Sequence, residues 1–184
     1  MNPKVICVSG GIGSGKTQVS RQLAERLGWK RASCGDYVRT VAQSRGLGVD
    51  RDQLQALGES MIATDIPGFC TGLLAYATWS VGQPLVVDGI RHVAVLERLR
   101  QEVAPVPLVL CHLGTADEVR TTRLASVRRS DADRLATLDE HSTEVEVKAG
   151  LRDAADLVLD GSFTVETIVA AAMVGLGGFD HISG

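Results

Sequence analysis

The sequence predicts an α/β fold, a three-layer sandwich with helices on both faces of a parallel five-stranded sheet. Three observations lead there. Short apolar runs rich in β-branched residues alternate with segments of helical period, the order that builds a parallel sheet through crossover connections. The first run, Val5-Ile6-Cys7-Val8, leads into Gly10-Gly11-Ile12-Gly13-Ser14-Gly15-Lys16-Thr17, which fits the pattern G-x-x-x-x-G-K-[ST] at every fixed position. A later run, Leu85-Val86-Val87, closes on Asp88, a carboxylate at the strand edge where open sheets bind ligands.

The elements follow in order. After Lys16, Val19, Leu23 and Leu27 recur every fourth residue and Gly28 follows them, so a helix of about three turns opens directly from the loop. Lys30 to Ser33 is a short candidate strand. A helix is expected from near Asp36 to Gly46. Asp50, with Gln53 three residues on, caps another whose face carries Leu54, Leu57, Met61 and Ile62 and which Pro67 stops. Phe69 to Trp79 is a further helical segment, ended by Gly82-Gln83-Pro84. Leu85 to Gly89 is the third strand, Val93 to Val103 a helix, and Pro107 to Leu113 the fourth strand. Thr115 with Glu118 forms a capping box for a helix over about 116–128. The charged stretch 128–140 has no apolar period, a further helix runs to about Gly150, Asp156 to Asp160 is the fifth strand, and Thr164 opens a final helix to about Gly175. One domain is expected over 1–176, with a helical insertion at about 34–82, a short lid at about 128–140 and a flexible tail at 177–184.

The residue types around Lys16 set the chemistry. Glycines at 10, 11, 13 and 15 clear side chains from the loop, so that successive backbone N–H groups turn inward around phosphate oxygens at a helix N-terminus. Gly11, Gly13, Ser14, Gly15, Lys16, Thr17 and Gln18 are the expected contacts of ATP. Lys16 reaches the β and γ phosphates, and the Thr17 hydroxyl and Asp88 serve Mg²⁺.

Composition narrows the partners. Nineteen Lys and Arg against 22 Asp and Glu leave a formal charge of −3, which calls for neither nucleic acid nor an anionic membrane. Only four of the cations are lysines, and arginine suits bidentate phosphate binding. Residues 66–87 lack charge, but Pro67, Gly68, Gly72, Gly82 and Pro84 break them, which argues against a membrane span. Four cysteines, at 7, 34, 70 and 111, lack metal-ligand spacing and fit a reducing cytoplasm. No signal peptide is expected ahead of the first strand. A monomer or a homodimer is expected, and His112, within an apolar run, reads as a packed core residue.

With these segments in place, the chain resembles the adenylate-kinase-like branch of the P-loop kinases, which includes nucleoside monophosphate kinases and dephospho-coenzyme A kinase. Ser33-Cys34-Gly35-Asp36-Tyr37-Val38-Arg39 looks like the family segment S-T-G-D-L-L-R, and Asp88-Gly89-Ile90-Arg91 like D-G-F-P-R with one residue missing. Arg129-Ser130-Asp131 and Ala155-Asp156-Leu157-Val158 add a similarity to a poorly characterised adenylate-kinase-related group. The resemblance implies a nucleotide-kinase-like P-loop NTPase fold. It implies Arg39, Arg91 and Arg129 on the substrate, and Lys16, Asp36, Asp88, Arg123 and Arg128 in catalysis, with Arg123, Arg128 and Arg129 belonging to a closing lid. Cys34 stands where the family has the base-reading Thr, and no Gln follows Asp88 in its usual place.

The activity so implied is transfer of the ATP γ-phosphate to a small phosphorylated acceptor, with a nucleoside monophosphate preferred. A kinase acting on a hydroxyl, with Asp36 as its base, is the alternative, and a nucleotide-dependent switch with little turnover is a third. Asp88 is followed by Arg91 where a GTPase switch needs Gly, and no Asn/Thr-Lys-x-Asp segment exists to read guanine, which argues against the switch.

Overall fold

The computed structural model describes residues 5–127 and 150–178. Its five strands form one parallel sheet in the order β2-β3-β1-β4-β5, with β1 (Val5–Gly10), β2 (Lys30–Ser33), β3 (Leu85–Ile90), β4 (Leu108–Gly114) and β5 (Leu157–Asp160). The central strand β1 is buried at every residue, which explains its unbroken apolar run. Its side chains alternate between two cores. Val5 and Cys7 face the side covered by α2 (Cys34–Ser44), α4 (Ile66–Tyr76) and α5 (Val93–Val103). Ile6 and Val8 face α1 (Lys16–Leu27) and the last helix, Val165–Gly178. The expected three layers are therefore present.

Three helices connect β2 to β3. Ser33 Oγ accepts from the Asp36 N–H at 3.3 Å, so α2 starts at Cys34, two residues before the expected Asp36. The next helix, α3 (Arg51–Thr64), is capped as expected by Asp50, whose Oδ1 accepts from the Gln53 N–H at 3.0 Å. Pro67 does not stop α3. Asp65 ends α3 and at once caps α4, accepting from the Gly68 N–H at 2.8 Å, and Pro67 lies in the first turn of α4, where a missing N–H costs no hydrogen bond. α3 buries none of its residues fully; Leu54, Leu57, Met61 and Ile62 pack only partly against the core.

Beyond β4, α6 spans Asp117–Val127, α7 spans Gly150–Asp153 and α8 spans Val165–Gly178, so residues 177 and 178, expected in the tail, close a helix. The stretch 128–140, with Arg128 and Arg129, lies outside the described residues. All four cysteines are buried thiols. Burial pushes the Cys70 and Cys111 thiols up to about 12, as suits packing groups rather than nucleophiles. Among the described residues no helix is long and apolar enough to cross a membrane.

Candidate nucleotide and acceptor site

The parallel strands point their C-terminal ends the same way, and two adjoining cavities open at that edge. The larger, about 510 Å³, is lined by Ile12, Gly13, Gly15, Lys16, Thr17 and Gln18 of the loop and first turn, with Asp88 and Arg123 facing them. Gly13 (φ +80°) and Gly15 (φ +87°) take the left-handed backbone that bends the chain around this space. A Cβ on Gly13 would sit 3.1 Å from the Arg120 carbonyl, a tight contact that adds to the preference for glycine there. Gly15 is the N-cap of α1 and offers no side-chain hydrogen bond, so no cap side chain competes with a ligand for the amides of the first turn. Lys16 Nζ donates to the Gly11 carbonyl at 3.2 Å, folding the ammonium back over the loop.

Asp88 is buried, with its side chain 3% exposed, and is held asymmetrically. Oδ2 pairs with Arg31 Nη2 at 2.5 Å, whereas Oδ1 is buried without a hydrogen-bond partner. A buried carboxylate oxygen left unsatisfied is costly, and Asp88 is a lining residue of this cavity, which fits a carboxylate that serves a water of a bound Mg²⁺. Among the described residues no cluster of three or more His, Cys, Asp and Glu gathers to hold an ion alone.

Two α6 arginines fasten the loop from behind. Arg120, 2% exposed, donates through Nε to the Ile12 carbonyl at 2.6 Å and pairs with Asp117 at 2.8 Å. Arg123 donates to the carbonyls of Ser14 (3.2 Å), Gly161 (2.7 Å) and Phe163 (3.2 Å), bridging the loop to the turn after β5. Arg123, expected in a closing lid, is thus a fixed brace on the wall of the nucleotide cavity. Under the loop, Ser9 Oγ and His112 Nδ1 share a 2.9 Å hydrogen bond between β1 and β4. Burial first, then Arg152 and Lys16, lower the His112 pKa from 6.5 to about 4, as expected of a packed core residue.

The second cavity, about 240 Å³, lies beside the first. Its walls are largely apolar, with Val38 of α2, Leu54 and Ile62 of α3, Phe69 of α4 and Val95 of α5. Arg39, Arg51 and Arg91 bring three cations to it, while Gln55 and Glu59 form a 3.1 Å hydrogen-bonded pair on α3. Gly35, Arg51, Gly89 and Arg91 line both cavities, so the two spaces meet at a boundary carrying two guanidinium groups. Burial and the neighbouring Asp88 push the Cys34 thiol well up, leaving it neutral in the cavity wall.

The structure brings together Gly13, Gly15, Lys16, Thr17, Gln18, Asp88, Arg91 and Arg123 at the larger cavity and Arg39 with Arg91 at the smaller. Gly11 and Ser14 are buried in the loop behind. Asp36 is not brought in. It is exposed in the first turn of α2 and lines neither cavity. Sequence reasoning missed Arg31, Arg51 and Arg120. Only Arg120 carries a signal, the i−3 Asp117 and i+4 Leu124 that place it on the packed line of α6.

Residues 6–160 match the family described as AAA domain (AAA_18). The chain belongs to this AAA_18 family. A UPF0200 protein of Pyrobaculum aerophilum is 33% identical to this AAA_18 chain over 127 residues, 69% of this chain and 68% of that protein. A cytidylate kinase of Natronomonas pharaonis is 49% identical over 43 residues, 23% of this chain and 22% of that one. Among solved structures, a gluconokinase from Sinorhizobium meliloti superposes with a TM-score of 0.64 at 22% identity, covering 97% of this chain and 94% of its own. The AAA_18 chain thus has the fold of the P-loop kinases.

Proposed function

We propose that this protein transfers the γ-phosphate of ATP to a small phosphorylated acceptor, a nucleoside monophosphate. The observation that carries the reading is the shared boundary of the two cavities, where Arg51 and Arg91 face both the phosphate loop and the apolar-walled space. Phosphoryl transfer needs in-line placement and charge neutralisation rather than covalent help, and that boundary offers both.

In this reading the loop amides and Lys16 hold the β and γ phosphates, and Thr17 and Asp88 hold Mg²⁺ and its water. Bound there, Mg²⁺ would neutralise charge on the ATP phosphates. Arg39, Arg51 and Arg91 seat the acceptor phosphate, whose anionic oxygen attacks the γ phosphorus as the bond to the β–γ bridging oxygen breaks and ADP leaves. A phosphate monoester has a second pKa near ~6, so at neutral pH it attacks without a base. The segment 34–82 acts as the acceptor-binding insertion.

Two observations support a nucleotide over a polyol. Walls of Val38, Leu54, Ile62, Phe69 and Val95 match a planar heterocycle, with the hydrogen-bonded Gln55–Glu59 pair beside them, whereas a polyol would leave hydroxyls facing carbon. The similarity to a cytidylate kinase points the same way. A hydroxyl acceptor would need a base, and Asp36 lines neither cavity. The test is ADP release from ATP with a panel of nucleoside monophosphates, dephospho-coenzyme A and sugar acids. Turnover with a monophosphate supports the reading; turnover with hydroxyl acceptors alone overturns it.

A further inference from the structure

Arg31 lines neither cavity, yet it touches both sides of the nucleotide site through intermediaries. On β2 its partner in register is Val86 of β3, two residues before Asp88 on the same sheet face, so its side chain runs toward the strand edge that carries the carboxylate. Its Nη2 holds Asp88 Oδ2, while its Nε donates at 2.9 Å to Ser20 Oγ, which in turn donates at 3.0 Å to the Thr17 carbonyl. One guanidinium therefore ties the end of β3 to the first turn of α1, where Asp88 and Thr17 stand. The contact also leaves Asp88, a lining residue of the larger cavity, with one oxygen taken and the other, Oδ1, buried and unpaired.

We propose that Arg31 is a positioning residue for metal-dependent nucleotide binding. By holding Oδ2 it fixes the carboxylate with Oδ1 presented to the site, and through Ser20 it sets the distance between Asp88 and Thr17. Its charge also balances that of Asp88, so the buried pair is neutral without a cation and the acid does not need a metal ion to be stable in the fold. The guanidinium fork suits this because its Nε–H and Nη–H serve two partners at once, which a single ammonium does less well. The inference rests on the assignment of Asp88 to the metal.

The test compares ATP affinity in excess Mg²⁺ with ATP affinity in EDTA, by calorimetry, for the parent, Arg31→Met, Arg31→Lys, Asp88→Asn and the Arg31→Met/Asp88→Asn pair. The ratio of the two affinities is the readout, since a loss of stability alone leaves it unchanged. Arg31→Met should lower the ratio by roughly tenfold, the scale on which residues that orient metal-site groups act, with EDTA affinity changed by no more than about threefold. The double variant should match Asp88→Asn alone. If Arg31→Met does not fold, Arg31→Lys, which keeps the charge but not the fork, should still lower the ratio. A parental ratio in a folded Arg31 variant, with Asp88→Asn reduced, overturns the positioning role and leaves the Asp88 assignment standing. A parental ratio in Asp88→Asn overturns both.

Discussion

Ser9 and His112 meet between β1 and β4, Oγ to Nδ1 at 2.9 Å, one residue before the phosphate loop begins. The folded imidazole resists protonation down to about pH 4, whereas the unfolded one takes a proton near 6.5. Between those values the unfolded state binds more protons, so stability rises with pH and is lost as pH falls. Thermal melts of the parent between pH 7.5 and 4.5 should therefore fall more steeply than those of His112→Gln. Parallel curves would show that the ring contributes nothing to the pH dependence.

Lys16 lies over the loop, bonded to the Gly11 carbonyl, and in the proposed reaction it would meet the oxygens that gain charge during transfer. Lys16→Ala should fold normally and lose about 10² to 10³ in kcat, the range seen when one charge-stabilising donor is removed. Turnover within a few-fold of the parent would remove the loop from the mechanism.

Arg39 lines the smaller cavity only, whereas Arg51 and Arg91 line both cavities. Arg39→Ala should raise the acceptor KM by about ten- to a hundredfold with kcat near the parental value, the worth of one charge-assisted contact. Arg51→Ala and Arg91→Ala should raise that KM and lower kcat together. Steady-state kinetics with the acceptor varied at saturating ATP distinguish the two patterns, and identical patterns in all three variants would argue against the shared boundary.

Arg123 spans three carbonyls on two segments, and no shorter side chain reaches them all. Arg123→Ala should cost about 1 to 3 kcal/mol through the acceptors left unpaired, lowering Tm by roughly 3 to 10 °C in a chain of this size. Arg123→Lys should recover little of it. A Tm unchanged by calorimetry in Arg123→Ala would mean that the bridge carries no stability.

The sheet, the loop and Asp88 were legible because each rests on a local pattern. Val5 to Val8 and Leu85 to Val87 are apolar at consecutive positions because both faces of a central strand are covered, and the loop's glycines are set by backbone geometry. The arginines were legible only in part. Arg31 sits in a four-residue strand whose pairing with β3 no periodicity announces, and its partner Asp88 is 57 residues away. Arg51 opens a helix whose sequence shows a cap but not the cavity beyond it. Asp36 is the opposite case. The family segment supplies its identity, but with the cap at Ser33 the first turn of α2 leaves residue 36 exposed while Cys34 and Val38 turn inward.

The burial of β1 along its whole length and the absence of any fully buried residue in α3 divide the molecule by how readily it opens. Amides of β1 can exchange with solvent only when the sheet itself comes apart, whereas α3 can detach by exposing four partly covered side chains, Leu54, Leu57, Met61 and Ile62. Deuterium should accordingly enter 51–64 orders of magnitude sooner than 5–10. An acceptor analogue that touches Arg51 and the Gln55–Glu59 pair should slow the first segment without altering the second, so the exchange of one helix would report whether the smaller cavity is filled.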